Sequence, residues 1–223
     1  MKQTTESNRA TVALFQLIKT KDWDCVNHLL AKLGTAKYKY LLRSTEMMVP
    51  SDLIIHHACQ SSAPLRLIVG LSTICPSSVD TADENGRYPL HLAVASGCAP
   101  EVIQFLIQRN PTSAAIQDTS GKTPLHYAGE CYAEMFINNN LDLPDSEIHR
   151  NTYLVVQMLV AVAPHAANME DEDEMNPIEY AVLNSTHLKV IKMMQQASRK
   201  EWRKQAPEGK GQSIHRPVAA LQA

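Results

Sequence analysis

Histidines 91 and 126 are the residues of this chain whose type best suits acid–base or metal chemistry, and they stand 35 positions apart inside near-identical phrases, Pro-Leu-His-Leu-Ala and Pro-Leu-His-Tyr-Ala. Neither chemistry is assembled around them. His56-His57 with Cys59 offers one local pair of zinc-type ligands, but no second pair stands at the spacing a closed four-ligand site needs. No Gly-rich phosphate loop, nucleophile elbow or HExxH is present, and Ser, Cys and His are scattered without an arrangement that would activate a nucleophile. An enzymatic site would have to sit in the segment 137–152 around His149, a lone histidine. No enzyme activity, cofactor, metal or small-molecule substrate is expected. Residues 170–174, Glu-Asp-Glu-Asp-Glu, differ in kind, because five consecutive carboxylates concentrate negative charge at one place. Calcium would need alternating oxygen ligands, so the readings are a solvated loop or a docking spot for a basic partner.

The elements that carry these residues repeat. Asp83, Gly86, Pro89 and His91 recur 35 positions later as Asp118, Gly121, Pro124 and His126, and the spacing Pro76-x6-Asp83 recurs at Pro111 and again at Pro164. Asp and Gly in this order signal a turn, since Asp bonds its own backbone and Gly accepts positive φ. Each copy therefore marks a hairpin-like finger. The proline after it suits a first helical position, and Thr123 or Asn176 just before it can cap that helix, whereas Tyr88 cannot. Leu90, Ala93, Val102, Ile103 and Leu106 then follow a helical period broken by Ser96 to Pro100, which predicts two short antiparallel helices. The same frame fits Ile55, Ala58, Leu67, Ile68 and Leu71, then Ile178, Ala181, Val190, Ile191 and Met194, and, more weakly, Leu14, Val26 and Leu30. Five helical pairs thus account for residues 11–197, in units at about 11–40, 50–75, 83–110, 118–163 and 171–197. The fourth unit is 18 residues too long, and Asn139-Asn140 and Pro144-Asp145 predict that the excess, 137–152, is a loop.

These phrases resemble the ankyrin repeat, whose signature Thr-Pro-Leu-His-x-Ala is matched by Thr123-Pro124-Leu125-His126 and approached at residues 88–93 and 176–181. The resemblance covers about four-fifths of the chain and implies an all-α solenoid of stacked helix-turn-helix units with finger loops. It implies that His91 and His126 hydrogen-bond neighbouring loop backbone. It also implies that partners meet the concave surface of finger tips and first helices. Carried over by position, the tips are Glu84, Asn85 and Arg87; Thr119, Ser120 and Lys122; Glu172 and Asp173, with Ser96, Glu130 and Asn184 following on the first helices. The expected function is that of a protein-protein adaptor or scaffold whose partner presents a basic or polar strip.

Composition narrows the alternatives. Lys and Arg total 21 against 23 Asp and Glu, so no global field draws the chain onto nucleic acid or membrane. Residues 199–216 carry six basic side chains against two acidic ones, so a tail at 198–223, in part irregular, could touch nucleic acid or an acidic membrane while the repeats hold a protein. Five cysteines without a CxxC pair suit reduced thiols. The segment 1–10 reads as flexible, with no secretory or membrane-spanning pattern, which predicts an intracellular protein, cytoplasmic or nuclear.

Overall fold

The computed structural model describes Leu14 and residues 16–33, 53–140 and 143–205, without the side chains of residues 29–33 and 205. The expected N-terminal segment 1–10, the join between the first two units and the tail from 206 onward lie outside the described residues. After a helical segment at 16–19 come α1 (Trp23–Leu33), α2 (Ile54–Gln60), α3 (Leu65–Ile74), α4 (Pro89–Ala95) and α5 (Pro100–Arg109). They are followed by α6 (Pro124–Glu130), α7 (Tyr132–Asn139), α8 (Asp145–Val162), α9 (Pro177–Leu183) and α10 (Leu188–Gln205). Short 3-10 turns at Pro76–Val79, Pro111–Ala115 and Pro164–Asn168 lead into the fingers, and no strand occurs among the described residues.

Inner helices α2, α4, α6 and α9 are seven residues each, too short to persist alone, so packing must hold them. They stand side by side with α3, α5, α8 and α10 behind them. Leu90, Ala93, Val102, Ile103 and Leu106 are buried, as are Ile55, Ala58, Leu67, Ile68 and Leu71, the same positions one unit earlier. Each such Leu or Ile stabilises the stack by about 1.5–3 kcal/mol. In the fifth unit Ala181, Val190 and Met194 are buried while Ile178 and Ile191 are only half-buried, because no further unit among the described residues covers them.

Four of the units reverse between their helices through one residue at positive φ: Lys21 (57°), Ser62 (55°), Gly97 (64°) and Ser185 (52°). The bond that follows is also shared, Ala63 N–H to Ala58 O, Cys98 N–H to Ala93 O and Thr186 N–H to Ala181 O. The fourth unit departs from this. At Cys131 the chain makes no left-handed reversal and continues as α7, which heads back along the array. The buried Tyr132 donates its hydroxyl to Cys98 O (3.1 Å) and stacks on Phe136. Asn139 Nδ2 donates to Ser62 Oγ (2.9 Å) and Ser96 O (2.8 Å), and Lys21 Nζ donates to Asn139 Oδ1 (3.3 Å). Thus α7 straps the turns of the third, second and first units.

The excess 137–152 is therefore not a loop. It begins near Cys131 and is helical up to Asn139 and again from Asp145, so the Asn139-Asn140 and Pro144-Asp145 turn signals mark one helix ending and the next beginning. The last ten residues of α8 resume the repeat, with Val155, Val156 and Leu159 buried at the positions of Val102, Ile103 and Leu106. The boundary drawn at 197 also moves. Helix α10 runs on to Gln205, Ser198 Oγ donates to Asn168 Oδ1, and Glu201 is buried, so the helix beyond 197 continues as part of the array.

Candidate functional site

Each finger is closed by its first aspartate. Asp83 Oδ1 accepts from Asn85 N–H and Arg87 N–H, Asp118 Oδ1 from Ser120 and Lys122, and Asp171 Oδ1 from Asp173 and Met175, all within 2.9–3.0 Å. The second oxygen is also used: Tyr127 donates to Asp118 (2.6 Å) and Tyr180 to Asp171 (2.7 Å), while Asp83, whose frame partner is Leu92, binds the Arg87 guanidinium instead. Burial would raise the Asp171 carboxyl, but the Tyr180 hydroxyl and the two backbone N–H groups hold it below the usual range. Asp171 is thus an internal fastener, and the acidic run shows solvent four carboxylates rather than five. Glycine at φ 72° and 75° completes the first two fingers, whereas Glu174 takes φ 58° in the third. Adjacent tips are joined, Thr119 N–H donating to Asn85 O (2.9 Å) and Glu172 N–H to Ser120 O (3.1 Å), which makes the tips one hydrogen-bonded edge.

The histidines hold this edge to the helices. His91 Nδ1 accepts Tyr88 N–H (3.1 Å) and its Nε2 donates to Ile116 O (2.9 Å). His126 does the same with Thr123 N–H (3.0 Å) and Met175 O (3.2 Å). An accepting Nδ1 places the ring proton on Nε2. Burial pushes both rings down from the ordinary histidine pKa, and they are neutral. Each ring thereby takes up the backbone N–H of the residue just before its helix. At Asn176 the amide caps Ile178 and Glu179 directly. His56 Nε2 pairs with Arg87 O (3.1 Å), and Cys59 is buried with its thiol pushed well up by desolvation. The described residues hold no cluster of three or more His, Cys, Asp or Glu able to grip a metal.

Of the residues carried over by position, Glu84, Asn85, Thr119, Ser120, Glu172, Asp173 and Asn184 are exposed. Ser96 is not available: it is 9% exposed, and α7 lies over its carbonyl through Asn139. The two tip cations are consumed. Arg87 pairs with Asp83 (2.9 Å), and Lys122 Nζ lies 2.8 Å from both oxygens of Glu130 and 4.5 Å from the Tyr180 ring centroid. Among the described residues, the exposed Glu84, Glu170, Glu172, Asp173 and Glu174 form no salt bridge. The free charge of the edge is therefore acidic. Glu130, Cys131, Glu134, Asn184 and Thr186 line a small groove between the ends of α6 and α9 and the start of α7. Tyr127, Tyr180 and Leu183 also lie on the inner helices and were not among the residues carried over; the tyrosines occupy the x of Leu-His-x-Ala or its equivalent, which is the signal that could have found them.

Residues 55–142 match the profile of ankyrin repeats, in three copies. Inversin of Canis lupus familiaris is 34% identical over 166 residues, 70% of this chain and 13% of that protein. Inversin of Homo sapiens is 34% identical over the same share of this chain and 14% of its own. The chain spans about one-seventh of the length of these curated relatives.

Proposed function

Since residues 55–142 of this chain are ankyrin repeats, we propose that it works as a non-catalytic adaptor that holds another protein against the finger edge and inner helices. Ankyrin repeats generally serve protein–protein interaction, and the finer assignment rests on one observation: the tip cations are neutralised within the array while its exposed carboxylates stay free. A partner with a basic strip gains attraction and association rate from such an edge, and a hydrogen-bonded row of tips needs little rearrangement to receive it. The contacts assigned to it are Glu84, Asn85, Thr119, Ser120, Glu172, Asp173 and Asn184, with Arg87, Lys122 and Glu130 setting the edge. The test is recovery of a partner on the tagged chain, repeated with Glu172→Gln/Asp173→Asn, which leaves the Asp171 fastener intact. Loss of affinity, with weaker salt dependence, supports the reading, and unchanged affinity of the recovered partner overturns it.

A second reading gives the C-terminal region a contact with nucleic acid or acidic membrane. Arg199, Lys200, Trp202 and Arg203 are exposed together on the end of α10, and Trp202 is 42% accessible. Binding through them would weaken steeply with salt. No helix among the described residues is long and apolar enough to cross a membrane.

A further inference from the structure

Gln60, Ala95, Glu130 and Leu183 occupy one position of the repeat frame, at the end of successive inner helices. In the fifth unit this position carries a leucine that is 70% exposed, more than any other large apolar side chain among the described residues; Val182 (38%) precedes it, and Leu188 (59%) begins the next helix across the turn. Folding does not account for Leu183: it stands where the fourth unit has a charged Glu130, so a polar residue is accommodated there. Val182 differs, since its counterparts Val94 and Gly129 are covered by the next unit. The surroundings have a definite chemistry. Asn184, next to Leu183, lines the groove with Glu130 and Glu134, and the third finger of the same unit exposes Glu170, Glu172, Asp173 and Glu174.

An exposed leucine whose neighbour Asn184 shares a groove with the exposed Glu134, in a unit whose finger carries further free carboxylates, fits one kind of occupant. We propose that Leu183, with Val182 and Leu188, anchors a basic amphipathic segment of another protein, whose apolar side chain seats on that leucine while flanking Lys or Arg meet Glu134, Glu172 and Asp173. The inference rests on the adaptor reading and narrows it to the fourth and fifth units. Charge complementarity selects this occupant, because an acidic or purely apolar segment would desolvate these carboxylates without replacing their water. The central apolar contact would carry most of the affinity and the carboxylates its salt dependence.

The test displays a library of random 16-residue peptides to the full chain, to Leu183→Asp, and to Glu134→Gln/Glu172→Gln/Asp173→Asn. Circular dichroism and melting temperature verify that the exposed substitutions leave the fold intact. Expected are enriched peptides with Leu, Ile or Phe between Lys or Arg, binding Leu183→Asp about tenfold or more weakly, the loss of one central anchor. The carboxylate variant should lose most of their salt dependence. Peptides that bind Leu183→Asp as well as the native chain, but fail on Glu84→Gln/Asn85→Ala, would overturn the inference while leaving the adaptor reading standing. Enrichment of nothing overturns both. Self-association in sedimentation that Leu183→Asp abolishes would assign Leu183 to a second copy and overturn the proposal.

Discussion

Replacing Gly97 by alanine tests whether α7 is seated on the array as a strap. Gly97 has φ 64°, and a Cβ there would lie 2.4 Å from Phe136 N, 2.5 Å from Met135 C and 2.8 Å from Phe136 Cα, all backbone atoms of α7 that no rotamer change can move aside. The left-handed conformation alone costs an alanine about 1–2 kcal/mol. Restoring ordinary contact pushes α7 outward by about an ångström, which strains or breaks the Tyr132–Cys98 and Asn139–Ser96 hydrogen bonds, each contributing roughly 0.5–1.5 kcal/mol. The total is about 2–5 kcal/mol. Gly86→Ala is the internal control, because Gly86 has a similar φ of 72° but its Cβ would come no closer than 3.2 Å to a neighbour, Thr119 N. It should cost the conformational part alone, about 1–2 kcal/mol. Urea denaturation followed by the fluorescence of Trp23 and Trp202 reads both ends of the array. The Trp23 transition should shift more in Gly97→Ala, since α7 reaches Lys21 through Asn139. A Gly97→Ala variant no less stable than Gly86→Ala would refute the strap.

Glu174→Gly removes the one finger residue among those described that is held at positive φ without being glycine, and should raise stability by up to about 1 kcal/mol, read as a higher melting temperature. Asn139→Ala should cost about 1–2 kcal/mol and speed amide exchange at the turn of the second unit; unchanged exchange there would mean its bonds to Ser62 and Ser96 are not held in solution. Stability should fall on acidification: burial pushes His56 down to about 4 and lowers His91 and His126, so the unfolded chain takes up protons, from an ordinary histidine pKa of about 6.5, that the folded chain refuses. The loss therefore runs from pH about 6.5 down through the folded values, and below pH about 4 the depressed carboxyls of Asp83 and Asp171 add to it as they protonate. A urea midpoint flat between pH 7 and 5, or a slope unchanged by His56→Gln, would contradict this assignment.

The features legible along the chain are those that repeat. The 35-residue frame marks the fingers at Asp83, Asp118 and Asp171 and most of the buried positions, because a solenoid stabilises each unit through itself and its neighbours, and the same side chains must recur wherever the same contact recurs. Asp118 closing its own finger and Asn176 capping its own helix are bonds between residues two to four positions apart, visible in any single copy. The features that break the repeat were not legible in it. Asn139 meets Lys21 across 118 positions, and with that contact a predicted loop becomes a helix and Ser96 a covered residue. Lys122 and Glu130 looked like two free charges until the tip of a finger and the end of its helix were placed together. Asp171 looked like one of five exposed carboxylates until Tyr180 was placed over it. Hydrophobic period and turn chemistry act over a few residues and leave their signal in the chain. Which polar group neutralises which depends on distances through space, and only the packed array sets those.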